Sequence, residues 1–156
     1  MTELTELNSL LQTKGQNKTM LVSELTVQLN WQAAVDLDLM AFYRTKSGKT
    51  GGVYSSLYSE GGEGSLDRFP FIKLSGDAGV QSNHESKQET LTIKKFDELT
   101  EIYLVAINFT DASRNQKSSF SKFDGRVEVS NENNEKISVL LGMSARLFVA
   151  FVLNNF

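Results

Sequence analysis

The chain has 156 residues with 16 basic and 19 acidic side chains, a formal net charge of −3, and no cysteine. That length suits one domain with a real core, and the lack of thiols excludes disulfide frameworks, thiolate metal centres and cysteine nucleophiles. Charges of both signs are scattered, without the concentrated basic stripe that a phosphate backbone requires, so no nucleic-acid partner is expected.

Residues 1–20, MTELTELNSLLQTKGQNKTM, lack a basic start followed by an apolar run. No stretch of the chain approaches the roughly 20 apolar residues of a membrane-spanning helix. A cytoplasmic location without stable membrane association is the expectation. Leu4, Leu7, Leu10 and Leu11 fall at helical spacing, but the segment is too short to be stable as an isolated helix. Residues 1–20 therefore read as a flexible or short helical arm, which could dock on a partner, ahead of a single domain over 21–156.

Leu25, Val27, Leu29 and Trp31 alternate with Thr26, Gln28 and Asn30, the pattern of a half-buried strand. The next strand, in VDLDLMAFYRT, is apolar on both faces from Leu39 to Tyr43 and reads as central in its sheet. Its head carries Asp36-Leu37-Asp38. Residues two apart on a strand point the same way, so two carboxylates stand side by side. Like charges that close call for something positive between them, and a hard oxygen-seeking cation such as calcium suits. A Lys or Arg partner, or solvent at the strand end, would also serve.

Ser47-Gly48-Lys49 reads as a hairpin turn into a strand over Gly52–Ser55. Gly48-Lys49-Thr50 resembles the tail of a phosphate-binding loop, but Tyr43 stands where that loop needs its first glycine, and strands flank it. After a strand over Phe69–Leu74, a long loop runs through GDAGVQSNHESKQ into a strand over Glu89–Ile93. Loops longer than about 12 residues are uncommon unless they carry function or are disordered. This one bears Asp77, Asn83, Glu85 and Glu89, oxygen ligands of the kind a calcium loop needs, with glycines that let carbonyls turn inward. An acidic, solvated hairpin is the alternative.

Phe96–Leu99 is of turn length, and Ile102–Ile107 is a second strand apolar on both faces. Strands over Arg126–Ser130, Ile137–Leu141 and Leu147–Asn154 follow, with Asn131–Asn134 as a turn. Eight or nine strands without a long helix predict an all-β fold, an antiparallel β-sandwich. His84 is the only histidine, which excludes histidine-based triads and multi-histidine zinc sites. Ser75-Gly76-Asp77 lacks the glycine pattern of a nucleophile elbow. No enzymatic activity is expected.

Taken in order, VDLDLMAFYRTKSGKTGGVY, FPFIKLSGDAGV, ETLTI, IYLVAINFTDA, FSKFDGRVEV and VAFVLNNF resemble the TerD/TerA-like tellurium-resistance and stress-response family, over about Val22 to Phe156. The resemblance implies a β-sandwich whose long acidic loops at one end bind calcium. It also implies a cytoplasmic bacterial module linked to tellurite, phage and general stress resistance, acting through protein partners, with no established catalysis. Asp36 and Asp38 match the family's Asp-Leu-Asp, and Gly76 with Asp77 matches its Gly-Asp. Where the family continues with an acidic run, this chain has Glu85-Ser86-Lys87-Gln88-Glu89, and only Glu89 clearly survives.

Calcium affinity falls with carboxylate count, so the resemblance implies at most one site, on Asp36, Asp38, Asp77 and Glu89, with Gly76 beside them and Asn83 or Glu85 filling in. The alternative is a metal-independent structural or interaction domain in which Lys87 replaces the cation. Calcium-dependent membrane binding would use Arg114, Lys117, Phe120 and Lys122 at a loop tip, only a modest basic and apolar set. Direct reduction of tellurite has no thiol to perform it.

Overall fold

The computed structural model describes residues 8–11, 15–16, 18, 20–32, 37–75, 87–108, 125–141 and 147–152. Eleven strands and no helix occur among them. They are β1 (Asn8–Leu11), β2 (Leu25–Trp31), β3 (Leu37–Thr45), β4 (Thr50–Val53), β5 (Gly64–Ser65), β6 (Ile72–Leu74), β7 (Lys87–Ile93), β8 (Leu99–Asn108), β9 (Arg126–Asn131), β10 (Lys136–Leu140) and β11 (Leu147–Val152). A seven-stranded sheet runs β1-β10-β9-β2-β7-β6-β5, and a four-stranded sheet runs β11-β8-β3-β4. The fold is all-β, as the period-two patterning predicts.

One apolar core lies between the sheets. The seven-stranded sheet contributes Leu25, Val27, Leu29 and Trp31 of β2, Ile72 and Leu74 of β6, and Leu91 and Ile93 of β7. Leu37, Leu39 and Ala41 of β3, Val53 of β4, and Ile102, Leu104 and Ala106 of β8 face them. The alternation read for β2 is observed, its odd-numbered residues buried and its even-numbered ones half-buried. β3 and β8 are central, as expected, with β3 paired to β8 on one edge and to β4 on the other.

Four features depart from the expectation. The seven-stranded sheet is mixed rather than antiparallel, because β1 runs parallel to β10, Asn8 opposite Lys136 and Leu11 opposite Val139. The same pairing shows that residues 8–11 of the arm are extended rather than helical. An open sheet edge supplies main-chain partners that a lone four-residue segment cannot make for itself, and this outweighs the weak helical spacing of its leucines. The two-residue β5 is the other strand that patterning missed. β6 is shorter than expected because Phe71 has φ 57° and its N–H closes a turn on the Arg68 carbonyl at 2.8 Å, so extended pairing starts at Ile72. The acidic loop over 76–86 and the basic segment of Arg114, Lys117, Phe120 and Lys122 lie outside the described residues.

The turns follow from their residues. In the β3–β4 hairpin Gly48 adopts φ 86°, and the Lys49 N–H donates to Thr45 Oγ1 at 3.0 Å. Asn131 organises the β9–β10 turn. Its side-chain oxygen accepts from the N–H groups of Asn133 and Glu135, both at 3.0 Å, and its amide donates to the Leu21 carbonyl at 2.9 Å.

Candidate functional site

The chemistry-bearing side chains that meet the head of β3 are Asp38, Glu89 and Tyr58. Asp38 is the second residue of β3. Its neighbours Leu37 and Leu39 point into the core, so period two turns Asp38 to the opposite face of the four-stranded sheet, along with Met40 and Phe42. It is nevertheless only 3 % exposed. Tyr58, from the connection between β4 and β5, covers it, and the Tyr58 hydroxyl donates to Asp38 Oδ2.

The Gly- and Ser-rich connection is built to deliver that tyrosine. The carbonyl of Ser55 accepts from the Tyr58 N–H at 3.1 Å, its hydroxyl accepts from the Leu57 N–H at 3.2 Å, and the Gly61 N–H closes on the Tyr58 carbonyl at 3.0 Å. Gly61 must be glycine here, because a Cβ would strike the Ser55 carbonyl oxygen. The Tyr54–Gly62 bridge ties the two ends of the loop together. Tyr58 then lies edge-on to Tyr54 at 6.2 Å between ring centroids, and Tyr54 lies 5.8 Å from Phe42. Gly52 leaves room for both rings, since a Cβ there would come within 2.9 Å of Phe42 and of Tyr54.

Glu89 reaches the same stretch of β3 from the other sheet. It pairs with Leu29 across β2–β7 and shares the inward face of β7 with Leu91 and Ile93, which leaves it 1 % exposed. Burying a carboxylate is costly unless hydrogen bonds replace its water. Glu89 Oε2 accepts from the Leu39 N–H at 2.7 Å. That donor is available because β4 pairs with β3 only from Ala41 to Arg44, so Leu39 lies beyond the end of β4. The Glu89 carboxylate thus meets the main chain of β3 one residue beyond Asp38.

Of the residues expected to form the site, Asp38 is buried on the outer face of β3 and Glu89 is buried on the inward face of β7, where it accepts from the Leu39 N–H. Asp36, Gly76, Asp77, Asn83 and Glu85 lie outside the described residues, and Lys87 is placed only as the first residue of β7, opposite Trp31. Among the described residues no three acidic or histidine side chains gather in one place. Asp38 and Glu89 supply hard, anionic oxygen donors, which fits calcium, an ion that takes six to eight oxygen ligands.

Tyr58 was not among the expected residues. A lone aromatic in SSLYSEGGEG carries no periodicity, so nothing in the sequence pairs it with Asp38. The inward placement of Glu89 did have a signal, because it continues the alternation of Leu91 and Ile93.

A surface cavity of about 150 Å³ lies between Phe69–Phe71 and Lys95–Leu99, with the Lys95 ammonium 4.8 Å from the centre of the Phe71 ring. It shares no residue with the carboxylate pair. Concave shape alone carries less chemistry than two buried carboxylates, so the pair is the better candidate site. The sequence matches no protein-family model and no curated protein.

Proposed function

We propose that this protein is a non-enzymatic calcium-binding module of the tellurium-resistance and stress-response type, cytoplasmic and acting through protein partners. The observation that supports the calcium assignment is that two carboxylates are buried near the head of β3, Asp38 of that strand and Glu89 of β7, whose Oε2 accepts from the Leu39 N–H. Together with Asp36 and Asp77, which the family resemblance adds, these residues would hold the ion. Calcium, if held there, would supply positive charge that offsets the carboxylates. The stress-response role and the partners rest on the resemblance in the chain from Val22 onward.

Titration calorimetry on chelator-treated protein, with melting curves at increasing calcium, tests the reading. A ligand that binds only the native state raises stability by RT ln(1 + [L]/Kd), about 2.7 kcal/mol at a hundredfold excess over Kd. The expected result is a saturable heat and a rising melting temperature, both lost in Asp38→Asn. No heat and no thermal shift up to millimolar calcium would overturn it.

A second reading is a metal-independent interaction domain. It is favoured by the neutral donors on both carboxylates, the Tyr58 hydroxyl and the Leu39 N–H. It predicts identical melting curves in calcium and in chelator.

A further inference from the structure

β1 is lightly held. It stands at the end of the seven-stranded sheet and pairs with β10 alone, over four residues and in parallel, the slightly weaker of the two pairing geometries. None of Ser9, Leu10 and Leu11 is buried, and Leu10 is 46 % exposed. Segments with few buried apolar contacts open at a small free-energy cost. What β10 receives from β1 is a main-chain ladder, with Ser9 opposite Ile137 and Leu10 opposite Ser138. Any chain of the same sequence supplies the same ladder.

The link between β1 and the rest of the domain is long enough to reach a neighbouring molecule. Met20 and Val22 pack against the core, and the Leu21 carbonyl accepts from the Asn131 amide. The N–H groups of Ser23 and Glu24 donate to the Glu132 carboxylate. The chain is thus pinned from Met20 onward, beside the β9–β10 turn. Residues 12–19 remain as the tether, and eight extended residues span about 26–29 Å. Within them Gly15 turns in open space, at φ 89° with nothing within 4 Å of the position of a Cβ.

We infer that β10 is a strand-acceptor site for a second copy of this chain, whose β1 replaces the resident one in the same parallel register. Exchange in both directions gives a symmetric dimer in which each β10 is again covered, so association stops at two. A short tether holds the resident β1 at an effective concentration in the millimolar range, so in dilute solution each chain keeps its own. Exchange takes over where copies are crowded together. This inference is independent of the calcium reading.

The chain has no cysteine, so disulfide trapping reads the exchange directly. Neighbouring strands lie about 4.8 Å apart, within the Cα separation that a disulfide spans. Full-length Leu10→Cys is mixed with full-length Ser138→Cys in a thiol–disulfide buffer at rising concentration, and with Lys73→Cys as a control for random collision. All three positions are exposed or half-buried, and melting temperatures of the reduced variants check their folds. The expected product is a mixed disulfide between positions 10 and 138. It should form several-fold faster than the control, increase with protein concentration and be confined to dimers. Trapping at the control rate at every concentration up to millimolar overturns the inference, and so does a product that grows beyond dimers.

Discussion

The main-chain N–H of Leu39 in the four-stranded sheet donates to the carboxylate of Glu89 in the seven-stranded sheet, at 2.7 Å and out of contact with solvent. The bond stands where β4 has ended and β3 has no strand on that edge, so a side chain does the work of a missing strand. Removing the acceptor leaves a buried N–H orphaned, which costs about 1–3 kcal/mol. Glu89→Leu should therefore destabilise the fold by about 2–3 kcal/mol. Glu89→Gln, which keeps an acceptor oxygen, should cost less. Urea denaturation of the two variants beside the parent, in chelator so that no cation contributes, measures the difference.

Acid stability should carry the signature of Glu132. Its carboxylate takes hydrogen bonds from its own main-chain N–H and from the N–H groups of Ser23 and Glu24, which hold its pKa down at about 2 against an ordinary 4.5. A depressed carboxylate stabilises the fold above the unfolded-state pKa and loses that contribution as pH falls through the folded one. The stability advantage of the parent over Glu132→Gln should thus be full above pH 4.5 and shrink steadily toward pH 2. Melting temperatures of both proteins across that window check it, and a constant difference would count against the contact. Because the side chain is fully exposed, added salt should flatten the effect.

Two glycines two residues apart should behave oppositely. Gly64 in β5 has φ 82°, and a Cβ there would run into the Ile72 carbonyl oxygen, with Val53 Cγ1 only 3.2 Å away. Gly64→Ala should cost at least about 2 kcal/mol, combining left-handed strain with a backbone collision. Gly62 has nothing within 4 Å of the same position. Gly62→Ala should stay within about 0.5 kcal/mol of the parent. Thermal denaturation of the pair is enough to decide.

Deleting residues 1–11 should leave the domain folded and make it self-associate. The deletion uncovers β10, whose main-chain groups β1 now occupies, and bare sheet edges pair with other chains. Light scattering over a concentration series should show growing mass for the truncated chain and none for the parent. A truncated chain that stays at the parent's oligomeric state at every concentration would refute this.

Most of the strand layout was legible because two kinds of pattern survive translation into structure. Leu25 to Trp31 alternate and form a strand with one buried face, while Leu39–Tyr43 and Ile102–Ile107 are apolar throughout and sit between neighbours. β1 was misread because its leucines satisfy helical spacing, and only the distant β10 edge tells them otherwise. Asp38 was legible as a carboxylate needing a partner, but the partner was not: Tyr58 is brought to it by two turns hung on Ser55. Glu89 was singled out as the end of an acidic loop. Its inward direction was written in the step of two to Leu91 and Ile93, and the main-chain donor it meets has no sequence signature at all.

The pairing of β1 with β10 has a consequence for biosynthesis. Asn8 leaves the ribosome early and Lys136 late, so β1 waits unpaired while almost every other strand of its sheet is made. Contacts between segments far apart in the chain carry a high closure entropy and form late. The middle of the seven-stranded sheet, β2 with β7 and β9, can assemble first, and docking of β1 then seals its edge. A ribosome-stalled chain truncated before β10 should expose β1 to a protease that leaves it intact once Lys136–Leu140 have emerged and paired.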